Sequence, residues 1–181
     1  MALEKARILD EYLVASAKAG DRAAFALLAR RWHRKLVAHA WRLTGDGEAA
    51  RDAAQTGWGE IAAGLHRLRD ERAFPAWAYR IVSRACAGQI GRAKRRRELA
   101  DAVTGEPPVA QPDAGAGLDA DRLRAAVRAL PPDQRSAVAL FHFEDMSVAE
   151  VAVALHVPAG TVKTRLMHAR RKLRAALEGE E

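Results

Sequence analysis

The sequence predicts an all-α protein, two small helical domains joined by a flexible linker. Three observations carry this. Apolar residues make up 49 % of the 181 residues and aromatics only 6 %, and the strand-favouring β-branched and aromatic types are scarce beside Ala, Leu and Arg. Apolar positions recur at spacings of three and four on both sides of the chain's middle, the period of a helix with one buried face. Between those sides, Ala100–Gly117 reads ADAVTGEPPVAQPDAGAG, without a cation or an aromatic. Such a stretch cannot bury enough apolar surface to fold and reads as a linker. The division is a first domain over 1–98, a linker over 99–117 and a second domain over 118–181.

In the first half Asp21 is the expected N-cap of a helix whose spaced positions are Ala24, Leu28, Arg31, Trp32, Lys35, Leu36 and His39, because a side-chain oxygen can accept from a free N–H of the first turn. That helix should stop at Thr44-Gly45-Asp46-Gly47. A second covers roughly Glu48 to Arg67 with Ala50, Ala54, Trp58, Ile61 and Leu65 inward. The short loop His66–Asp70 leads to a third, from Glu71 or Ala73 to Arg97, with Phe74, Trp77, Ile81, Ala85 and Ile90 inward. In the second half, helices are expected over Leu118–Leu130 and Asp133–Phe143.

The most informative stretch follows, Met146–Arg174, MSVAEVAVALHVPAGTVKTRLMHARRKLR. Ser147 and Glu150 form a capping box, and Val148, Val151, Ala152 and Leu155 give a short helix one apolar face. His156-Val157-Pro158 interrupts it, since Pro158 lacks an N–H and pushes its predecessor out of the α region. The next helix starts at Pro158 or Ala159 and runs to about Leu177, with Val162, Leu166, Ala169, Leu173 and Leu177 as its apolar line. Between Val162 and Leu177 it carries six lysines and arginines, and no acid. A capped helix, a tight turn and a cationic helix form the geometry that enters a DNA major groove. A basic amphipathic helix alone would also suit a membrane surface or a partner helix. The formal net charge of +7 likewise suits a polyanionic partner.

Several classes are not favoured. No HExxH, CxxC or GxSxG occurs, Gly45-Asp46-Gly47 is a turn rather than a phosphate loop, and the acids look like caps or solvent-facing residues. No enzyme, metal site or cofactor is therefore expected. The single cysteine, Cys86, reads as a small core residue, and the charged N-terminus lacks a signal-peptide core. No apolar run is long enough to span a bilayer, so a cytoplasmic protein without membrane insertion is expected.

Leu130-Pro131-Pro132-Asp133-Gln134-Arg135, the capped helix, Gly160-Thr161-Val162-Lys163-Thr164-Arg165 and the basic Ala169–Leu173 together resemble the fourth domain of bacterial sigma factors. Ala19-Gly20-Asp21, Ala24-Phe25, Arg42-Leu43-Thr44-Gly45-Asp46, then Phe74, Trp77 and Ile81 before a run of arginines resemble the second sigma domain. Two such domains with only a short linker look like the extracytoplasmic function (ECF) group of the sigma-70 family. The resemblance implies a factor that binds RNA polymerase core and promoter DNA and that an anti-sigma factor restrains.

It also implies site residues. Lys163, Thr164, Met167 and His168 would face base edges of the −35 element, with Met167 as surface filler the alternative reading. Thr161, Arg165, Arg170 and Arg171 would hold phosphates, or the last two belong to a merely solvated face. At the −10 element Arg69, Asp70 and Arg72 would meet an extruded base, while Arg84, Arg92, Arg95 and Arg96, with Lys94 and Arg97, would follow the duplex. Phe74 and Trp77 read as core. The family's acidic polymerase-docking segment is thinned here to Ala50-Arg51-Asp52-Ala53-Ala54-Gln55, leaving Asp52 and Gln55 to carry that contact. Arg84 and Gly88 replace the family's usual Asn and Asp. These departures keep open a sigma-like regulator working by protein–protein contact. An ordinary helix-turn-helix regulator is the third reading.

Overall fold

The computed structural model describes residues 2–104 and 118–178, and all its regular elements among them are helical. The first half holds α1 (Ala2–Lys18), α2 (Arg22–Thr44), α3 (Gly47–Gly64) and α4 (Phe74–Thr104); the second holds α5 (Leu118–Ala129), α6 (Pro132–Val138), α7 (Val148–Leu155) and α8 (Ala159–Glu178).

The expected caps are in place. The Asp21 carboxylate accepts from the Ala23 and Ala24 N–H groups at 2.8 and 3.1 Å, satisfying donors that the first turn leaves free. At the other end of α2, Gly45 takes φ +70° and donates to the Trp41 carbonyl, a left-handed closure that costs glycine nothing. Asp46 then caps α3 through the Ala49 N–H at 2.7 Å. The helix expected to reach Arg67 ends at Gly64 and tightens into a 3₁₀ turn over Leu65–Arg67; a second such turn, Glu71–Ala73, precedes α4. α4 runs past Arg97 to Thr104, into the stretch assigned to the linker; residues 105–117 lie outside the described residues, as do the side chains of Lys94, Arg96 and Arg97.

Two features differ from the sequence reading. α1 was not among the helices read from the sequence, yet it buries Leu13 and Val14 against α2. The helix expected over Asp133–Phe143 is α-helical only to Val138, and Ala139–Phe143 widens to a π turn.

The first-half core is built on α2: Leu28, Trp32, Leu36, His39 and Ala40 are buried, facing Ala50, Ala53 and Ile61 of α3 and Phe74, Ile81, Val82 and Cys86 of α4. Trp32 meets Phe74 edge-on at 5.3 Å and Tyr79 at 5.7 Å, an arrangement aromatic quadrupoles favour. Gly57 permits the close approach of α3 and α4, since a Cβ there would lie 2.7 Å from a Val82 methyl carbon. Phe74 and Cys86 are buried as expected; Trp77 is only partly so. In the second half Val151, Ala154, Val162, Leu166 and Ala169 close the core, whereas Leu177, expected on the apolar line, is exposed, as is every residue of α8 from Arg174 to Glu178.

The halves touch. α7 lies along α4, while α6 and the π turn meet α2. Arg42 of α2 donates to Glu144 at 2.6 Å, and the Tyr79 hydroxyl of α4 donates to the same carboxylate. The expectation that the acids serve only as caps or lie in solvent fails here: the Glu144 side chain is 8 % exposed and Asp10 is buried against Arg31 at 2.7 Å. Burial is affordable for both because each carboxylate keeps a charged donor.

Candidate nucleic-acid and polymerase interfaces

The second half presents a helix-turn-helix. Ser147 accepts from the Glu150 N–H at 3.2 Å while Glu150 accepts from the Ser147 N–H at 2.8 Å, the reciprocal cap read from the sequence. α7 stops at His156, in the left-handed region at φ +55°, and Pro158 then sets the start of α8. Val162, Leu166 and Ala169 anchor α8 to the core. The opposite side therefore faces outward: Lys163, Met167, Arg170 and Arg174 lie three to four residues apart and all are exposed, so they share one stripe. Met167 is 59 % exposed, a large apolar side chain left in solvent in the middle of a cationic face.

The other candidate residues of α8 are placed differently. Thr164 is exposed but its hydroxyl donates to the Gly160 carbonyl at 3.0 Å, leaving it to act outward as an acceptor. Arg165 is partly buried and pairs with Asp133 of α6 at 3.2 Å, tying the base of α8 to the helix before it. Arg135 does similar work, donating to the Arg128 carbonyl at 3.1 Å across the α5–α6 turn. His168 is partly exposed, its Nδ1 3.4 Å from an Arg171 nitrogen. Thr161 lies half-buried in the first turn of α8, while Arg170 and Arg171 are exposed. Arg170 also lies close enough to His142 to help burial lower that histidine's pKa.

In the first half, Arg69, Asp70 and Arg72 share the exposed loop before α4. Asp70 accepts from the Arg72 N–H at 3.0 Å and from its Nε at 3.2 Å, and the Arg72 side chain is the main cause that holds the Asp70 carboxyl below its usual range. Along α4, Arg84, Arg92 and Arg95 are exposed and fall on one face by helical spacing. Arg80 is exposed on the same face, and reading the family's arginine run alone missed it. Arg84 is held by Glu60 of α3.

Asp52 and Gln55 are both exposed on α3, and Arg51 is exposed next to them. The neighbouring Ala53, Ala54 and Gly57 are buried, which fixes the face that Asp52 and Gln55 turn outward. No group of His, Cys, Asp and Glu able to hold a metal occurs among the described residues, and no helix there is long and apolar enough to cross a membrane.

Comparison with known proteins decides the family. Residues 28–96 match the sigma-70 region 2 model and residues 120–173 the sigma-70 region 4 model. The ECF RNA polymerase sigma factor SigM of Mycobacterium tuberculosis is 36 % identical over 166 residues, covering 91 % of this chain and 82 % of SigM. The chain belongs to the ECF sigma factors of the sigma-70 family. Its fold recurs in CnrH, solved in complex with the cytosolic domain of CnrY, at a TM-score of 0.72 and 24 % identity over 96 % of this chain and 99 % of that one. It recurs again in the Bartonella quintana sigma factor RpoE, solved with the anti-sigma factor NepR, at a TM-score of 0.70 and 24 % identity over 87 % and 98 % of the two chains.

For this ECF sigma factor the outward stripe of α8 yields a direct expectation. Lys163→Ala should relax preference at one or two base pairs of the upstream element, costing about 1–3 kcal/mol if a bidentate contact is lost. Selection of sites from a random duplex pool checks it, and a profile matching the parent removes Lys163 from the base-reading set.

Proposed function

We propose that this ECF sigma factor binds RNA polymerase core in the cytoplasm and directs it to a specific set of promoters, acting by binding rather than by catalysis. The second half reads the −35 element in the major groove through Lys163, Met167 and the outward edge of Thr164. Arg170 and Arg171 hold phosphates and set register. The first half captures the opened −10 strand at the Arg69–Arg72 loop, and the arginines of α4 follow the adjoining duplex. Asp52 and Gln55 meet the polymerase. The observation that carries the reading is the division of α8 into a buried apolar line and an opposite exposed cationic stripe, set in a helix-turn-helix and joined to a region 2 domain. An anti-sigma protein is the proposed restraining partner; the Bartonella quintana sigma factor RpoE was solved in complex with the anti-sigma factor NepR.

The test is promoter-specific run-off transcription by purified core with and without the chain. Stimulation is expected. Asp52→Arg should lower it by about tenfold or more, since close interfacial charge pairs couple by roughly 1.5–7 kcal/mol, while binding of the isolated chain to duplex DNA stays unchanged. A second reading, a sigma-like regulator working by protein contact, draws on Arg51 standing exposed beside Asp52, a cation in a segment that is acidic in the family. Intact DNA binding with no stimulation on any genomic template would favour that regulator.

A further inference from the structure

Between the halves lies a cleft of about 790 Å³, bordered by α1, α2, the loop before α4 and the Phe143–Met146 turn. The first half lines it with six cations, Arg7, Arg31, Arg34, Lys35, Arg42 and Arg72. Its own acids there are three, and two are already occupied: Asp10 with Arg31 at 2.7 Å and Glu71 with Lys18 at 2.5 Å. The second half, whose α8 is so basic, adds no cation to this lining. It brings Glu144, Asp145 and Glu150, with Phe143 and Met146. Its three acids cancel the surplus of three cations that the first-half wall carries alone.

The contacts follow that complementarity. Glu144 takes Arg42 and the Tyr79 hydroxyl, Phe143 lies over the Arg42 guanidinium at 4.7 Å, and Glu150 comes within 3.8 Å of Arg7. Lys35 sits over the Trp32 ring at 4.6 Å. Trp32 also borders the cleft, with an indole N–H that has no partner among the described residues. With the second half moved away, the wall would present the Arg42 guanidinium and the Tyr79 hydroxyl that Glu144 now covers, with Lys35 beside them. A row of cations along a groove is what tracks the phosphates of a nucleic-acid strand. Arg72, whose side chain holds Asp70 in the loop assigned to the extruded base, also borders this wall, so a strand bound at that loop would lie next to the cleft.

We propose that the cleft wall formed by Lys35, Arg42, Tyr79 and Arg72 binds the phosphodiester backbone of a single DNA strand, and that Glu144 occupies it in the closed form as a carboxylate surrogate for a phosphate. The proposal rests on the reading that the first half holds opened promoter DNA, and it adds a route and a regulator. The chain then blocks its own strand site until the halves part. Carboxylate and phosphate compete for the same guanidinium because both present paired oxygens to its planar donors.

The experiment measures binding of a fluorescent single-stranded oligonucleotide to the full chain at fixed salt. Glu144→Gln keeps the shape and removes the charge, and should tighten binding by about fivefold, as the strand-competent fraction rises. Asp145→Asn touches no side-chain hydrogen bond among the described residues and places a residue tolerant of positive φ at φ +52°. It should tighten binding about twofold, and keeps the test alive if Glu144→Gln does not fold. Adding Lys35→Ala and Arg42→Ala to either variant should abolish the gain. Unchanged affinity in the two acid variants, or a gain that survives loss of Lys35 and Arg42, overturns the proposal. So does displacement of the strand by polyglutamate as readily as by unlabelled oligonucleotide, which would mark a receptor for an acidic protein segment. Failure to stimulate core polymerase, with the gain intact, removes the sigma reading and leaves the strand site standing. Stimulation with no gain does the reverse.

Discussion

Alanine at both Arg170 and Arg171 will weaken binding to duplex DNA of every sequence, by roughly 10–100-fold at 0.1 M salt, and will lower the salt slope by about 1.8. Each phosphate contact releases about 0.9 of a counterion, so two lost contacts change the slope by that amount and the affinity along with it. The choice of these two arginines is structural. Both are exposed on α8, and neither pairs with a carboxylate among the described residues. Arg165, although equally cationic in sequence, is tied to Asp133, and Arg174 lies 3.7 Å from Glu178. Arg165→Ala should therefore act through the seating of α8, lowering stability more than it flattens the salt slope. Binding isotherms over a salt series separate the effects. A double variant with the parent's slope would show Arg170 and Arg171 to be solvated rather than DNA-facing.

The contrast among these arginines shows where sequence reasoning reaches and where it stops. Caps and turns are local: Asp21, Gly45, Ser147 and Glu150 each act within a few residues of themselves, and all four occupy the positions their spacing predicts. The buried line Val162, Leu166 and Ala169 was legible for the same reason, since one helical period fixes which side chains share a face. Whether an exposed arginine is free is not local. Arg165 meets a residue on another helix, Arg84 meets Glu60 one helix away, and nothing in the spacing of a basic run distinguishes them from Arg170. The interdomain clasp is the extreme case, with Glu144 separated from Arg42 by 102 residues. A lone Glu in Phe143-Glu144-Asp145 carries no pattern that marks it as buried, because its burial depends on a donor supplied from the other half of the chain. α1 escaped for another reason. Its buried Leu13 and Val14 are accompanied by exposed Ile8, Leu9 and Tyr12, so its apolar residues do not trace a single face.

His39 is the other residue whose consequence only tertiary structure reveals. The sequence sets it at helical spacing with Leu28, Trp32 and Leu36. The structure buries it completely, with Nε2 2.8 Å from the Ser83 hydroxyl and Nδ1 without a partner among the described residues. Burial, aided by the Arg42 charge, lowers its pKa from 6.5 to about 3. The folded chain thus refuses a proton that the unfolded chain accepts. The stability this contributes is fully present above about pH 6.5 and is lost as pH falls toward 3, at up to about 1.4 kcal/mol per pH unit. His39→Gln retains a group able to bond Ser83 and cannot titrate. It should be less stable near neutrality through imperfect packing, yet lose stability more slowly on acidification. Denaturant unfolding measured at intervals from pH 7.5 to 4 gives the two slopes directly. Equal slopes for the parent and His39→Gln between pH 6.5 and 4 would show that protonation of some other group drives acid unfolding.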